Sequence, residues 1–247
     1  IDEIDWKIVK DSQTGALLFE NEELDFVEIS GDLIEKYASD PRFTAALEVH
    51  MWYLIPNIED NAMLQNNNIR RALATSFDKE AVANDVMKNG AKAADYIVGY
   101  NLCYGPDGKQ MRETNGSFLS YDPVSAKEYW DKGLKELGLD SMTIDLLYYD
   151  DDASTRQCEF IASEWEKNLP GLTVELSSNP KKAALDKQSS GDYDVCLFRW
   201  GPDYRDPMAF LELFEYGAPY NRGNYNSSEY KSISGEVSTP DMLLSLD

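Results

Sequence analysis

The sequence predicts an α/β fold in which helices pack on a sheet. Three observations carry this. From Thr143 to Phe214, β-forming runs alternate with helical ones three times over. The 247 residues are 43% hydrophobic and 12% aromatic, enough to bury a core as one large domain or two small ones. No apolar run approaches the ~20 residues that a membrane-crossing helix needs.

The elements follow in order. Ile4–Val9 alternates apolar and polar residues and reads as a strand, and Leu24–Ile29 reads as a second. Gly31–Ala38 has a helical pattern, and Ala45–Ile55 reads as a long strand stopped by Pro56. Asn67–Asn89 gives two short helices meeting at Asp78, whose simplest role is to cap the second. Gly90–Ser120 is mostly loop, punctuated by Gly99, Gly105-Pro106 and Gly108. Asp122-Pro123 opens a helix that runs to about Gly138. Then come strand Thr143–Tyr149, helix Ser154–Asn168, strand Thr173–Leu176, helix Pro180–Ser189, strand Tyr193–Arg199 and helix Pro207–Phe214.

Charge and cysteine usage narrow the function. A net charge of −22 argues against nucleic-acid binding, and its spread along the chain reads as solubility. Cys103, Cys158 and Cys196 allow at most one disulfide, and no Cys/His spacing suggests zinc. Cys158 and Cys196 fall on a helix and a strand, where buried free thiols are expected. Asp150-Asp151-Asp152 lacks the spacing and glycine of a calcium loop, and reads as a turn capping the following helix. His50 is the only histidine, so metal and triad roles have no second partner. Trp52, Trp130 and Trp165 fall on core periodicities. No metal and no cofactor is expected.

The segment from Tyr193 to Pro207 is the candidate site. Its strand, Tyr193–Arg199, is followed by Trp200-Gly-Pro-Asp203-Tyr204, and Asp206-Pro207 then opens a helix, with Asp206 as cap. In α/β folds this end of the sheet is where ligands sit. An indole, a phenol and a carboxylate without a nucleophile–base pair suit holding a cationic group rather than breaking a bond. A core role for Trp200 and a turn role for Asp203 are the alternatives. Asp203 and Asp206, three apart across a turn, are poorly arranged as opposed glycosidase carboxylates.

Several segments resemble the peptide-binding family of ABC-transporter solute-binding proteins, the oligopeptide and dipeptide receptors of extracellular solute-binding protein family 5. The run Asn68-Ile-Arg70-Arg71-Ala-Leu-Ala-Thr-Ser-Phe-Asp78-Lys-Glu-Ala-Val82 is close to the family's long signature helix. Gly90–Tyr96, Gly105–Gly108, Tyr121–Pro123, Trp200–Tyr204 and Asn221–Tyr230 match further family segments. The resemblance implies a type II periplasmic-binding-protein-like lobe, a mixed sheet flanked by helices. It implies that Asp203 pairs with a peptide's α-amino group, with Trp200 and Tyr204 beside it, and that the chain is not an enzyme. It also implies capture of peptides by closure of two lobes for an ABC importer permease, outside the cytoplasm. The receptor would sit at the cell surface on a lipid anchor beyond this chain, or in the periplasm. A receptor for nickel, haem or an oligosaccharide is the alternative within the family.

Residues 1–48 would then be the tail of the first lobe, and 49–231 the second, ligand-binding lobe. The segment 232–247 departs from the family pattern and is unplaced. The chain opens at Ile1 without Met and is expected to be a processed or excised piece. Some family receptors carry a second aromatic near Pro180. Here no aromatic stands between Val174 and Gly191, which leaves peptide length and sequence open.

Overall fold

The structure is a computed structural model and describes residues 2–9 and 11–223. Most of the expected Asn221–Tyr230 run, and all of 232–247, lie outside the described residues. The chain divides into two compact units. One comprises Ile1–Leu47 and Glu80–Ala93, the other Glu48–Lys79 and the described residues from Ala94 onward.

The first unit is helical. Helix α1, Ser12–Glu20, has no counterpart among the expected elements. Its start is fixed by Asp11, whose carboxylate accepts from the Thr14 backbone N–H at 2.8 Å and the Thr14 hydroxyl at 2.9 Å. Those bonds, the backbone one first, hold the Asp11 carboxyl below its usual range. Helix α2, Asp32–Tyr37, lies inside the expected span and follows Gly31, whose φ of 60° favours glycine. The expected strands Ile4–Val9 and Leu24–Ile29 form no strand and pair with none among the described residues. Alternation makes a strand only where a ladder partner and a covered face exist. Here Ile4, Trp6 and Ile8 are 65%, 84% and 97% exposed, so the alternating face is uncovered among the described residues.

The second unit is built on a four-stranded sheet in the order β1-β4-β2-β3. Its strands are β1 (Met51–Pro56), β2 (Met142–Tyr149), β3 (Leu172–Asn179) and β4 (Val195–Trp200). Strand β2 runs parallel to β3 and β4, whereas β1 pairs antiparallel with β4 from Met51↔Trp200 to Pro56↔Val195. The sheet is therefore mixed. Strand β1 begins at Met51 rather than Ala45 because β4 supplies partners only as far as Trp200.

Helix α3, Asn67–Thr75, is capped by Asn66, whose Oδ1 accepts from the N–H groups of Asn68 and Ile69. Asp78 directly precedes the short α4, Lys79–Ala81, and the expected second helix continues from there as a π-helix, Val82–Met87. The expected loop after it contains α5, Met111–Asn115, and an isolated antiparallel bridge between Tyr104 and Gln110. Helix α6, Pro123–Leu137, starts on an Asp122 cap and stops at Gly138 in the left-handed conformation, φ 69°. Helix α7, Asp152–Asn168, is capped by Asp151, which accepts from Ser154 N–H at 2.9 Å, so the acidic run is the cap that the spacing predicts. Helix α8, Lys181–Ser190, precedes β4. Helix α9, Met208–Leu211, passes into a 3-10 turn, Glu212–Phe214.

Two of the three expected core tryptophans are buried, Trp130 fully and Trp165 to within 1%. The Trp130 indole N–H donates to the Pro170 carbonyl at 2.8 Å. Helices α3 and α6 meet at Gly133, where a Cβ would lie 2.6 Å from Ile69 Cδ1. Trp52 corrects the expectation. It is half-buried, with the Arg199 guanidinium 5.5 Å from its ring centroid, because it stands on the edge strand β1.

All three cysteines are free, and Cys158 and Cys196 are buried, which pushes both thiols far above the usual range. The reactive species is the thiolate. Iodoacetamide should therefore label the half-buried Cys103 in the folded protein, and Cys158 and Cys196 only after urea unfolding. Peptide mapping by mass spectrometry checks this, and native labelling of Cys158 or Cys196 as fast as Cys103 contradicts the packing.

Candidate ligand-binding site

Trp200 is the last residue of β4, so the side chains after it emerge at the C-terminal edge of two parallel strands, beside the end of β2 at Tyr149. The Trp200 ring is half-buried. It stacks on Phe198 at 6.3 Å and 14°, and lies tilted against Tyr220 at 4.9 Å. Its indole N–H donates to the Ala209 carbonyl of α9 at 2.8 Å. Its polar atom is thus used internally, and its half-buried ring packs against the apolar clusters around Phe198 and Phe210, so Trp200 also serves the core.

The carboxylates around the loop can be sorted by what they do. Asp206 Oδ1 accepts from the Met208 N–H at 2.8 Å, so Asp206 caps α9 even though the helix opens one residue later than expected. Glu212 Oε2 accepts from the Tyr204 hydroxyl at 3.0 Å. The Tyr204 hydroxyl is held above the usual tyrosine range, by desolvation first and then by Glu212. Asp203 is exposed, and its carboxylate has no hydrogen-bond or ionic partner among the described residues. The loop therefore presents one carboxylate free to take a cation, three residues after Trp200 and directly before the half-exposed Tyr204.

A second group adjoins this loop and carried no signal in the sequence. His50 Nδ1 lies 3.1 Å from Glu48 Oε2, and Arg199 Nη2 lies 3.5 Å from the same oxygen. The His50 ring rests against Gly201, where a Cβ would fall 2.6 Å from Cδ2 and 3.1 Å from Cε1. Only the pairing of β1 with β4 brings these residues together, so local sequence gives no hint of them.

The opposite end of the sheet holds an open cavity of about 500 Å³, lined by Asn57, Asp60, Asn61, Asp145, Asp192 and Asp194 among others. Its polar groups face one another. Asp194 accepts from Asn61 Nδ2 at 2.6 Å and from the Asp145 N–H at 2.9 Å, and Asn57 donates to the Gly191 carbonyl at 2.9 Å. Burial raises the Asp145 carboxyl above its usual range. These bonds fasten the start of β4 to the loop after β1. Among the described residues no group of three or more His, Cys, Asp or Glu is arranged to hold a metal.

Comparison with known proteins decides the family. The model of the bacterial extracellular solute-binding proteins, family 5 Middle, matches residues 1–222. The chain belongs to this family. Family 5 relatives include a dipeptide-binding protein of Lactococcus lactis subsp. cremoris (strain MG1363). It is 32% identical over an alignment of 252 residues that covers 98% of this chain and 46% of the relative. The oligopeptide-binding protein OppA of Bacillus subtilis (strain 168) is 34% identical over 71% of this chain and 32% of its own length. Among solved structures, Listeria monocytogenes OppA bound to peptide superposes with a TM-score of 0.87 at 31% identity, covering 97% of this chain and 48% of that one. The pheromone receptor PrgZ superposes at 0.84 with 28% identity, covering 95% and 46%. This family 5 chain thus spans about half the length of those relatives. The fold is the α/β, periplasmic-binding-protein-like lobe that the resemblance implies.

Proposed function

We propose that this chain supplies the ligand lobe of an extracytoplasmic receptor that captures peptides and delivers them to an ABC importer permease. On this reading residues 49–231 are the ligand lobe and 1–48 the tail of its companion. The receptor works outside the cytoplasm, held at the membrane surface by a lipid anchor or free in the periplasm. Asp203 takes the peptide's α-ammonium group, while Trp200 and Tyr204 line the chain that follows it. Closure of two lobes supplies the remaining contacts, mainly backbone hydrogen bonds that tolerate varied side chains.

The observation that carries this reading is the sorting of the loop's carboxylates. Asp206 and Glu212 have internal donors, and Asp203 has none among the described residues. A bound ammonium requires such a partner once water is excluded. The name of the peptide-bound Listeria relative is consistent with the same ligand class.

Calorimetry of the complete receptor with a small library of tri- to pentapeptides tests it, together with mass spectrometry of co-purified ligand. Micromolar or tighter binding of peptides with free amino termini is the expected result. Co-purified nickel, haem or oligosaccharide, with no peptide binding, overturns it.

A further inference from the structure

The residue before β1 meets the ligand loop at a glycine. The antiparallel register pairs Met51 with Trp200, so the next pair outward sets His50 opposite Gly201. The imidazole lies across Gly201, and any Cβ there falls within its van der Waals envelope. The φ of Gly201 is outside the left-handed range, so the glycine serves space rather than conformation. The neighbouring residue is seated in the same way. Val49 Cγ1 would lie 2.5 Å from a Cβ at Gly99, and that Cβ would lie 3.5 Å from the Phe210 ring. Glu48 holds the imidazole from the other side at 3.1 Å and also engages Arg199 of β4. Asp203 stands two residues beyond Gly201, and Trp200 one residue before it.

We propose that His50 is a positioning residue for the ligand loop: its ring, seated on Gly201 and braced by Glu48, sets where the Asp203 carboxylate emerges from the sheet. The proposal rests on the peptide reading of the loop. Its content is that the geometry of ammonium recognition is set from β1, by a side chain that touches no ligand. The imidazole is itself partly exposed, at 39% of its side-chain surface, and its seat on Gly201 is a contact that ties the backbone before the exposed residues Asp203 to Asp206 to the start of β1.

The test uses the complete receptor and reads the ratio of affinities for matched free and N-acetylated peptides. Thermal melting of each variant is run alongside. Gly201→Ala should lower that ratio on the order of tenfold, a typical size for coupled neighbouring residues. Adding His50→Ala removes the overlap, so the double variant should bind free peptides better than Gly201→Ala alone. His50→Ala by itself creates no overlap and should lower the ratio while binding of acetylated peptides holds. A purely structural role would shift melting and weaken both peptide classes equally.

An unchanged ratio in Gly201→Ala and His50→Ala overturns the proposal if Asp203→Asn still abolishes the preference. A double variant no better than Gly201→Ala also overturns it. If Asp203→Asn leaves the preference intact, the peptide reading itself fails, and the positioning role falls with it.

Discussion

Asp203→Asn should remove most of the preference for peptides with a free amino terminus while leaving N-acetylated peptides almost unaffected. In the lobe described here the Asp203 carboxylate is exposed and lacks an internal donor, so its charge is fully available to a ligand. On the proposed reading, closure around a peptide would exclude water from the pair. Truncating one member of a buried, hydrogen-bonded charge pair costs about 2–5 kcal/mol. That is about 30-fold to several-thousand-fold in affinity. The amide keeps the shape and one acceptor oxygen, so the change isolates charge. Trp200→Ala should weaken both peptide classes alike, because the indole N–H is bonded to the Ala209 carbonyl and, on the proposed reading, only the ring is left to meet a ligand. Isothermal titration of the two peptide forms on three proteins decides the matter. If Asp203→Asn retains the wild-type preference, Asp203 is a turn residue and the site lies elsewhere.

The parts of this fold that could be read from sequence are those whose cause is local. Asp122-Pro123 and Gly138 mark both ends of α6, and Asp151 marks the start of α7, because caps act within three or four residues. The run of β2, α7, β3, α8 and β4 was legible for the same reason, since each element carries its own periodicity and stop signal. Helix α1 was missed although Asp11 caps it, because the residues that follow carry no clear apolar period. Ile4–Val9 and Leu24–Ile29 were misread in the other direction. Alternation there is real, but a strand is a pairing, and among the described residues no partner strand lies beside them. Strand β1 was overextended for the same reason.

The site divides along the same line. Trp200, Asp203 and Tyr204 could be singled out because strand, turn and helix follow one another in fifteen residues of sequence. That Asp206 and Glu212 are engaged internally and Asp203 is not follows only from side-chain geometry. The contact of His50 with Gly201 spans some 150 residues and depends on antiparallel pairing, so no local pattern reveals it.

Trp165→Ala should cost about 3–5 kcal/mol of folding stability, the range for removing a large buried aromatic. The side chain is 1% exposed and meets Phe77 edge-on at 6.4 Å and 77°. It also does polar work. Its indole N–H donates to the Leu73 carbonyl at 2.9 Å, in the last turn of α3, where carbonyls lack intrahelical donors. One turn further along α7, Asn168 Nδ2 donates to the Ser76 carbonyl at 2.7 Å. Two side chains of α7 therefore close the end of α3 while the ring fills the space between them. Trp165→Phe separates the two contributions. It keeps most of the apolar volume and loses the donor, so its cost should be about 1–3 kcal/mol, the penalty for a buried acceptor left short of a partner. Ser76 Oγ, 3.3 Å from the same carbonyl, sets the expectation at the lower end of that range. Asn168→Ala should cost about 1 kcal/mol, since it removes the bond to Ser76 and a long one, 3.5 Å, to Glu164 within α7. Against a typical total of about 5–15 kcal/mol, the alanine variant at 165 alone takes a large share. Urea titrations should show midpoints falling in the order Asn168→Ala, Trp165→Phe, Trp165→Ala with the slope unchanged. A Trp165→Ala midpoint within error of the parent would mean that α7 and α3 are held together by something other than this indole.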